Sequence, residues 1–389
     1  MLEVRAVLLA TIPLVLGSAF GERHGSGPPS HLQYSDQGEE YRLLTIRGIV
    51  WQVFSTSHLQ RLTLPGAEQE RLAGDIERGT TEPVSSPDQR YVAYTRALDV
   101  WLYDVAADTA HKLTRLALPG NATTAAAFLW IAGWSATGTR LLVYLDHDEV
   151  EDPEGYRANL VVQPADYGYY SCDWKLSACT KVTLPGAFQA WLPDGEYLLT
   201  TDEPVPTNRR LVRYDAQSGT TVPFASDTDW LLQLDVARSG DRALAVVARG
   251  TDASWVITLD LRSGVLTPLT PPGSFGEYNW PRYSPSTQRV AYVRISRARE
   301  TIAGVPRTPA VVQGTVIVDG KAVYRCKSLY VQCKAHWITE RVVAAEETDI
   351  VLEEGVLRSS TRFLAVLDAE TGQVKAVDTL EVERPAVRR

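Results

Sequence analysis

The residues best suited to chemistry in this chain are four cysteines, one dense acidic run and six histidines. The cysteines form two pairs with six residues between members, Cys172 with Cys179 and Cys326 with Cys333. Four cysteines allow three pairings. In an oxidising compartment their natural state is the disulfide. Zinc prefers shorter cysteine spacing together with histidine, and only His336 lies near a pair. The acidic run is Asp146-His147-Asp148-Glu149-Val150-Glu151-Asp152-Pro153-Glu154. Carboxylates on a loop are hard oxygen ligands, so Asp146, Asp148 and Glu149 could hold Ca²⁺. Their spacing departs from the Asp-x-Asp-x-Asp-Gly loop, and a solvated acidic loop is the competing reading. The histidines (His24, His31, His58, His111, His147 and His336) are scattered, with no i, i+4 pair for a metal. No Gly-x-Ser-x-Gly elbow occurs, and no Ser/His/Asp set stands out from its equivalents. Asn121-Ala122-Thr123 is a glycosylation sequon, of consequence only in a eukaryotic secretory pathway.

Aromatic side chains recur with more order, and the elements that carry them set the architecture. Trp130, Trp134, Trp191, Trp230, Trp280, Tyr283 and Trp337 lie in or beside short apolar stretches that end in a five-residue turn. The turn reads Tyr34-Ser-Asp-Gln-Gly38, Ser85-Ser-Pro-Asp-Gln89, Trp134-Ser-Ala-Thr-Gly138 and Trp191-Leu-Pro-Asp-Gly195. It continues as Val236-Ala-Arg-Ser-Gly240, Tyr283-Ser-Pro-Ser-Thr287 and, most degenerate, Trp337-Ile-Thr-Glu-Arg341. A repeat of roughly 45–57 residues is close to a four-stranded propeller blade with loop insertions.

After each turn comes an apolar second strand: 42–46, 91–95, 141–145, 197–201, 243–248, 290–293 and 342–345. A third strand follows at 50–54, 100–104, 160–163, 211–215, 255–260, 315–319 and 363–368. Three of these leave through Asp-x-x-Ser/Thr-Gly, at Asp215–Gly219, Asp260–Gly264 and Asp368–Gly372. Asp bonds local amides there and Gly accepts positive φ. Fourth strands end in phrases such as Leu62-Thr-Leu-Pro-Gly66 and Val182-Thr-Leu-Pro-Gly186, where proline stops the ladder. Helical periodicity is lacking, apart from a short surface helix or loop at 67–77. The expected fold is all-β, a seven-bladed β-propeller of four-stranded antiparallel blades. Six blades plus extra strands and a pair of β-sandwiches are the alternatives. On seven units the cysteine pairs fall in the third and sixth, which are not neighbours, so pairing within each unit is expected. The aromatics then either fill the gaps between blades or form a face that stacks on sugar rings or a peptide.

Composition narrows the function classes. The chain has 389 residues, 44% of them hydrophobic, and a formal net charge of -8. The acidic balance argues against a nucleic-acid surface. Residues 1–21 read as a secretory signal peptide: Arg5 supplies the positive charge, the apolar run is too short to span a bilayer, and small residues near 17–21 suit cleavage. Residues 22–30 form a flexible lead-in, 31–382 the propeller and 383–389 a basic tail. No other stretch approaches a membrane span.

Ser86-Pro-Asp-Gln-Arg-Tyr-Val-Ala-Tyr94 and Trp191-Leu-Pro-Asp-Gly195 resemble the Trp-Ser-Pro-Asp-Gly repeats of TolB-type β-propellers, relatives of the WD-repeat class. The resemblance covers most of 31–382. It implies a propeller that serves as a protein-binding platform. The chain departs from TolB in showing no separate α/β domain before the propeller. The resulting expectation is an exported, monomeric platform, secreted or periplasmic, that binds a protein or peptide without catalysis and without a cofactor. Its longer loops, at 146–157, 166–178 and 297–312, would carry binding. The alternative is a carbohydrate-active enzyme or glycan-binding propeller that uses the axial pocket. A calcium-stabilised structural protein is a third reading, resting on the 146–154 loop.

Overall fold

The computed structural model describes residues 33–34, 39–46, 49–54, 58–66, 83–96, 99–115, 127–147, 167–175, 178–192, 194–201, 211–224, 230–237, 241–249, 253–274, 277–298, 301–302, 305–306, 311–326, 333–353 and 356–383. They form seven antiparallel blade sheets and one small two-stranded hairpin, and each blade takes its strands from one continuous stretch of the chain. Blade one holds β1 (Gln33–Tyr34), β2 (Glu40–Ile46), β3 (Ile49–Phe54) and β4 (Leu59–Leu62). Blade two holds β5 (Val84–Ser85), β6 (Tyr91–Arg96), β7 (Asp99–Asp104) and β8 (Thr109–Arg115). Blade three holds β9 (Ala127–Trp134), β10 (Arg140–His147), β11 (Gly168–Asp173) and β12 (Ala178–Val182). Blade four holds β13 (Gly186–Trp191), β14 (Tyr197–Thr201), β15 (Leu211–Asp215) and β16 (Thr220–Pro223). Blade five holds β17 (Trp230–Val236), β18 (Arg242–Arg249), β19 (Ala253–Asp260) and β20 (Leu266–Pro268), with β21 (Gly273–Ser274) added on β19. Blade six holds β22 (Tyr278–Tyr283) and β23 (Val290–Ala298), then a small hairpin of β24 (Thr301–Ile302) and β25 (Val305–Pro306), then β26 (Val311–Val318) and β27 (Lys321–Arg325). Blade seven holds β28 (Lys334–Thr339), β29 (Val342–Glu353), β30 (Val356–Asp368) and β31 (Val374–Glu383).

Burial follows position within the blade. Several second strands are covered on both faces, because each blade is stacked between two others. Ala243 to Ala248 is buried without interruption, and Tyr197 to Thr200 likewise. Such strands read as apolar runs rather than alternating ones. The outermost strands are solvated; β16 is exposed along its whole length. One apolar cluster fills each gap between neighbouring blades, from the first gap to the sixth. A seventh joins blade seven to blade one through Leu44, Trp51 and Val53 against Ile338, Val342, Ala344, Leu364 and Val366. Seven gaps filled in this way close a seven-bladed ring; among the described residues no strand is exchanged between the first and last blades.

The third strand of blade three is Gly168–Asp173, not 160–163 as its sequence suggested, because it is Gly168–Asp173 that pairs with β10. The 166–178 stretch is therefore largely a β-hairpin rather than a loop insertion. Cys172 and Cys179 sit directly opposite each other on its two strands and are disulfide-bonded. Cys326 and Cys333 form the second disulfide. The 67–77 stretch, the sequon at 121–123, the N-terminal 1–32 and the tail 384–389 lie outside the described residues. So do Asp148 and Glu149, while the Asp146 backbone closes the end of β10. Among the described residues no helix is long and apolar enough to cross a membrane.

Candidate functional site

The five-residue turns hold the inner strands in place. In blade two the Ser86 N–H donates to the Tyr91 carbonyl (2.8 Å), and the Ser86 hydroxyl accepts from the Tyr91 N–H (2.9 Å). Ser135 and Ser284 repeat both bonds, with Arg140 and Arg289 respectively. The turn closes on a residue with positive φ: Gln89, Gly138, Gly195 or Thr287. Glycine reaches that region without strain. Gln89 instead uses its side chain, whose oxygen accepts from the Leu43 N–H of blade one at 2.6 Å.

The aromatic that begins the turn joins one blade to the preceding one. The Trp134 indole N–H donates to the Val84 carbonyl at 3.0 Å, and the Trp337 indole N–H to the Arg282 carbonyl at 3.1 Å. Each acceptor is the residue just before the turn in the preceding blade. Trp191 occupies the same position in blade four, but its Nε1 has no hydrogen-bond partner among the described residues. Trp134, Trp191 and Trp337 are 9%, 5% and 8% exposed. They fill the gaps between blades, so they offer no open face to a sugar ring. Trp130, on β9, is 51% exposed, and nothing is described of the Trp230 side chain.

Each of the inner strands β9, β13, β17, β22 and β28 carries a register shift against its neighbour. Bulges of this kind re-aim side chains at a sheet edge. Around the axis lies a cavity of about 470 Å³ to which all seven blades contribute. Its walls differ. Blades three and four supply Ala132, Gly133, Ala136, Phe188 and Ala190, which are small or apolar. Blades five, six, seven and one supply Asp235, Arg282, His336 and Arg42.

The polar wall is partly self-satisfied. Asp235 accepts from Arg282 Nη1 at 3.0 Å with one oxygen and from the Tyr283 N–H at 2.7 Å with the other. Behind Asp235, the Gln233 oxygen accepts from the Trp280 N–H, and Trp280 is held at positive φ. His336 Nε2 lies 3.7 Å from a Glu346 carboxylate oxygen, and its pKa is lowered because burial disfavours the imidazolium, against the pull of Glu346. The Tyr283 hydroxyl has no partner among the described residues, and its pKa is pushed up to about 12, chiefly by burial.

The inner strands thus carry ionisable groups beside the recurring aromatics. Asp235, Arg282 and His336 all occupy the position just before the turn, where Gly133 and Ala190 stand in blades three and four. Aligning that position across the units is the signal that finds them. One carboxylate with both oxygens engaged is nonetheless a poor base or nucleophile. No group of three or more His, Cys, Asp or Glu side chains is placed to hold a metal among the described residues.

No protein-family description matches the chain, and no curated protein matches it. Solved structures similar to it include TolB from Acinetobacter baumannii, at 15% identity and a TM-score of 0.42, over 72% of this chain and 60% of that one. The chain thus spans 60% of the length of that TolB. An uncharacterized protein from Listeria monocytogenes EGD-e is similar at 11% identity and a TM-score of 0.45, over 88% of this chain and 93% of that one. Kuenenia stuttgartiensis hydrazine synthase is similar at 13% identity and a TM-score of 0.40, over 78% of this chain and 95% of that one. The seven-bladed assignment stands on the chain's own sheets and gap clusters.

Proposed function

We propose that this chain is an exported, non-catalytic binding propeller that takes a protein or peptide segment at its axial cavity. The observation that carries the proposal is the two-sided cavity itself. Its volume of about 470 Å³ falls in the range of ligand sites, which pair apolar lining with a few convergent polar groups. Among the described residues its one lining carboxylate, Asp235, is committed to holding blades five and six together. Two disulfides suit an oxidising compartment, in keeping with an export signal at 1–21. The glycan-binding alternative has one observation in its favour, the exposed Trp130 on an inner strand.

Affinity capture from the native compartment tests this reading, run in parallel with wild type and Ala136→Trp. Ala136 lies in a turn at the cavity wall, so the larger ring fills the cavity while sparing the gaps between blades. A partner retained by wild type and lost by Ala136→Trp is expected. A partner retained equally by both places binding on the outer loops and overturns the cavity reading.

A further inference from the structure

The gap between blades seven and one differs from the other six in two ways. The chain itself crosses every other gap as it passes from one blade to the next, whereas among the described residues this one is closed by side chains alone. It also holds buried charge. Side chains two apart on a strand share a face, so Arg42 lies on the face of β2 that carries Leu44, and Glu346 on the face of β29 that carries Ala344. Leu44 and Ala344 belong to the apolar cluster of this gap, so the two charged groups, both buried, form a layer beside that cluster. Arg362 stands two residues before Leu364 of the same cluster, on β30. His336 on β28 joins the layer. Its Nε2 is 3.7 Å from the Glu346 carboxylate, too long for a hydrogen bond, and its side chain lines the axial cavity together with Arg42. Arg282 of β22, paired with Asp235 of β17, approaches it from the cavity side, and Lys334 lies two residues back on its own strand. Burial holds the pKa of His336 down; Glu346 pulls it up, and Arg282 and Lys334 push it down again. A neutral imidazole suits such a layer, where cations outnumber carboxylates and water is excluded.

We infer that the gap between blades seven and one is a pH-sensitive latch, which holds the ring closed while His336 is neutral and lets blade one part from blade seven when His336 takes up a proton. The latch is independent of the binding role proposed above. Opening the gap lets water reach the imidazole, whose pKa then returns toward about 6.5. The open form takes the proton and the closed form resists it, so closure weakens as pH falls below about 6.5, by up to about tenfold per pH unit. Blade one is the partner that moves. Blade seven is fixed to blade six by the Cys326–Cys333 disulfide and by the Trp337 indole on the Arg282 carbonyl.

The test follows hydrogen–deuterium exchange of the purified full-length chain, freed of any signal peptide, at about pH 7.5 and about pH 5.0, the latter still above the ordinary carboxylate range. Each rate is divided by the intrinsic rate at that pH. Peptides from β2, β3 and β28 are expected to lose about tenfold in protection at the lower pH, relative to peptides from β14 and β18 in the same sample. His336→Gln keeps a neutral polar side chain and is expected to abolish that loss. His58→Gln, at the exposed histidine stacked on Phe54 in blade one, is expected to retain it. Equal loss of protection in every blade is general acid weakening and overturns the inference, as does no loss at all. A loss confined to the gap that persists in His336→Gln belongs to another group and also overturns it. Imidazole signals followed by NMR in the wild-type chain give a reading that needs no variant. The His336 signal should change together with the loss of protection, and its titration in a ring that stays closed contradicts the latch.

Discussion

Replacing Trp337 by Phe removes one hydrogen bond and part of one buried ring. The ring loses roughly three atoms, which at about 0.8 kcal/mol per buried carbon costs about 2 kcal/mol. Losing the indole N–H also strands the Arg282 carbonyl between blades six and seven, adding about 1–2 kcal/mol. Trp134→Phe should behave alike, because it strands the Val84 carbonyl between blades two and three. Trp191→Phe is the internal control. Its burial matches the other two, but its Nε1 has no protein acceptor among the described residues. Its cost should therefore be the packing loss alone, about 2 kcal/mol against about 3–4 kcal/mol for the other pair. Urea unfolding followed by far-ultraviolet circular dichroism measures the three differences without relying on tryptophan fluorescence, provided the m-values match wild type. Equal costs at all three positions would refute the view that these indoles rivet blade to blade.

Three further outcomes follow from the same structure. Non-reducing tryptic digestion should leave peptides linked through Cys172–Cys179 and Cys326–Cys333, since Lys175 and Lys327 fall inside the loops, and each Cys→Ser pair should cost about 2–3 kcal/mol by the loop-closure relation. Gly219→Ala and Gly372→Ala both force alanine into positive φ. At Gly219 nothing lies near the added carbon and the cost should be about 1 kcal/mol, whereas at Gly372 it would collide with the Val323 carbonyl, so calorimetry should show a much larger loss. The Asp368 carboxylate accepts from the Thr371 N–H, the Thr371 hydroxyl and the Glu370 N–H, which lowers its pKa to about 2. A pKa depressed on folding gives stability that is present above the unfolded value and lost as pH falls from about 4 to about 2. Asp368→Asn should flatten that part of the acid-unfolding curve.

The fold was legible because each blade repeats local chemistry. A serine that bonds the next strand, a residue at positive φ and an apolar run buried on two faces leave a period in the sequence. Blade three misled, because its acidic insertion pushes the third strand to 168–173, and an apolar stretch at 160–163 stood where the period placed that strand. The axial cavity was less legible for a physical reason. Its polar wall is assembled from single residues on consecutive blades, Asp235, Arg282 and His336, which share a register position but no residue type. Their partnership exists only once the ring has closed. The role of the repeat tryptophan was half legible: its size spoke for gap filling, but its hydrogen bond to the preceding blade required knowing which carbonyl it faces.

The axial cavity as the binding site can be tested most directly by following the indole N–H signals of the ¹⁵N-tryptophan-labelled chain as the captured partner is added. Ten tryptophans make a spectrum simple enough to assign by single substitutions. Binding at the cavity predicts that the signals of Trp134, Trp191 and Trp337, whose residues line it, shift together. Shifts confined to tryptophans away from the axis, with Trp191 unmoved, would contradict it.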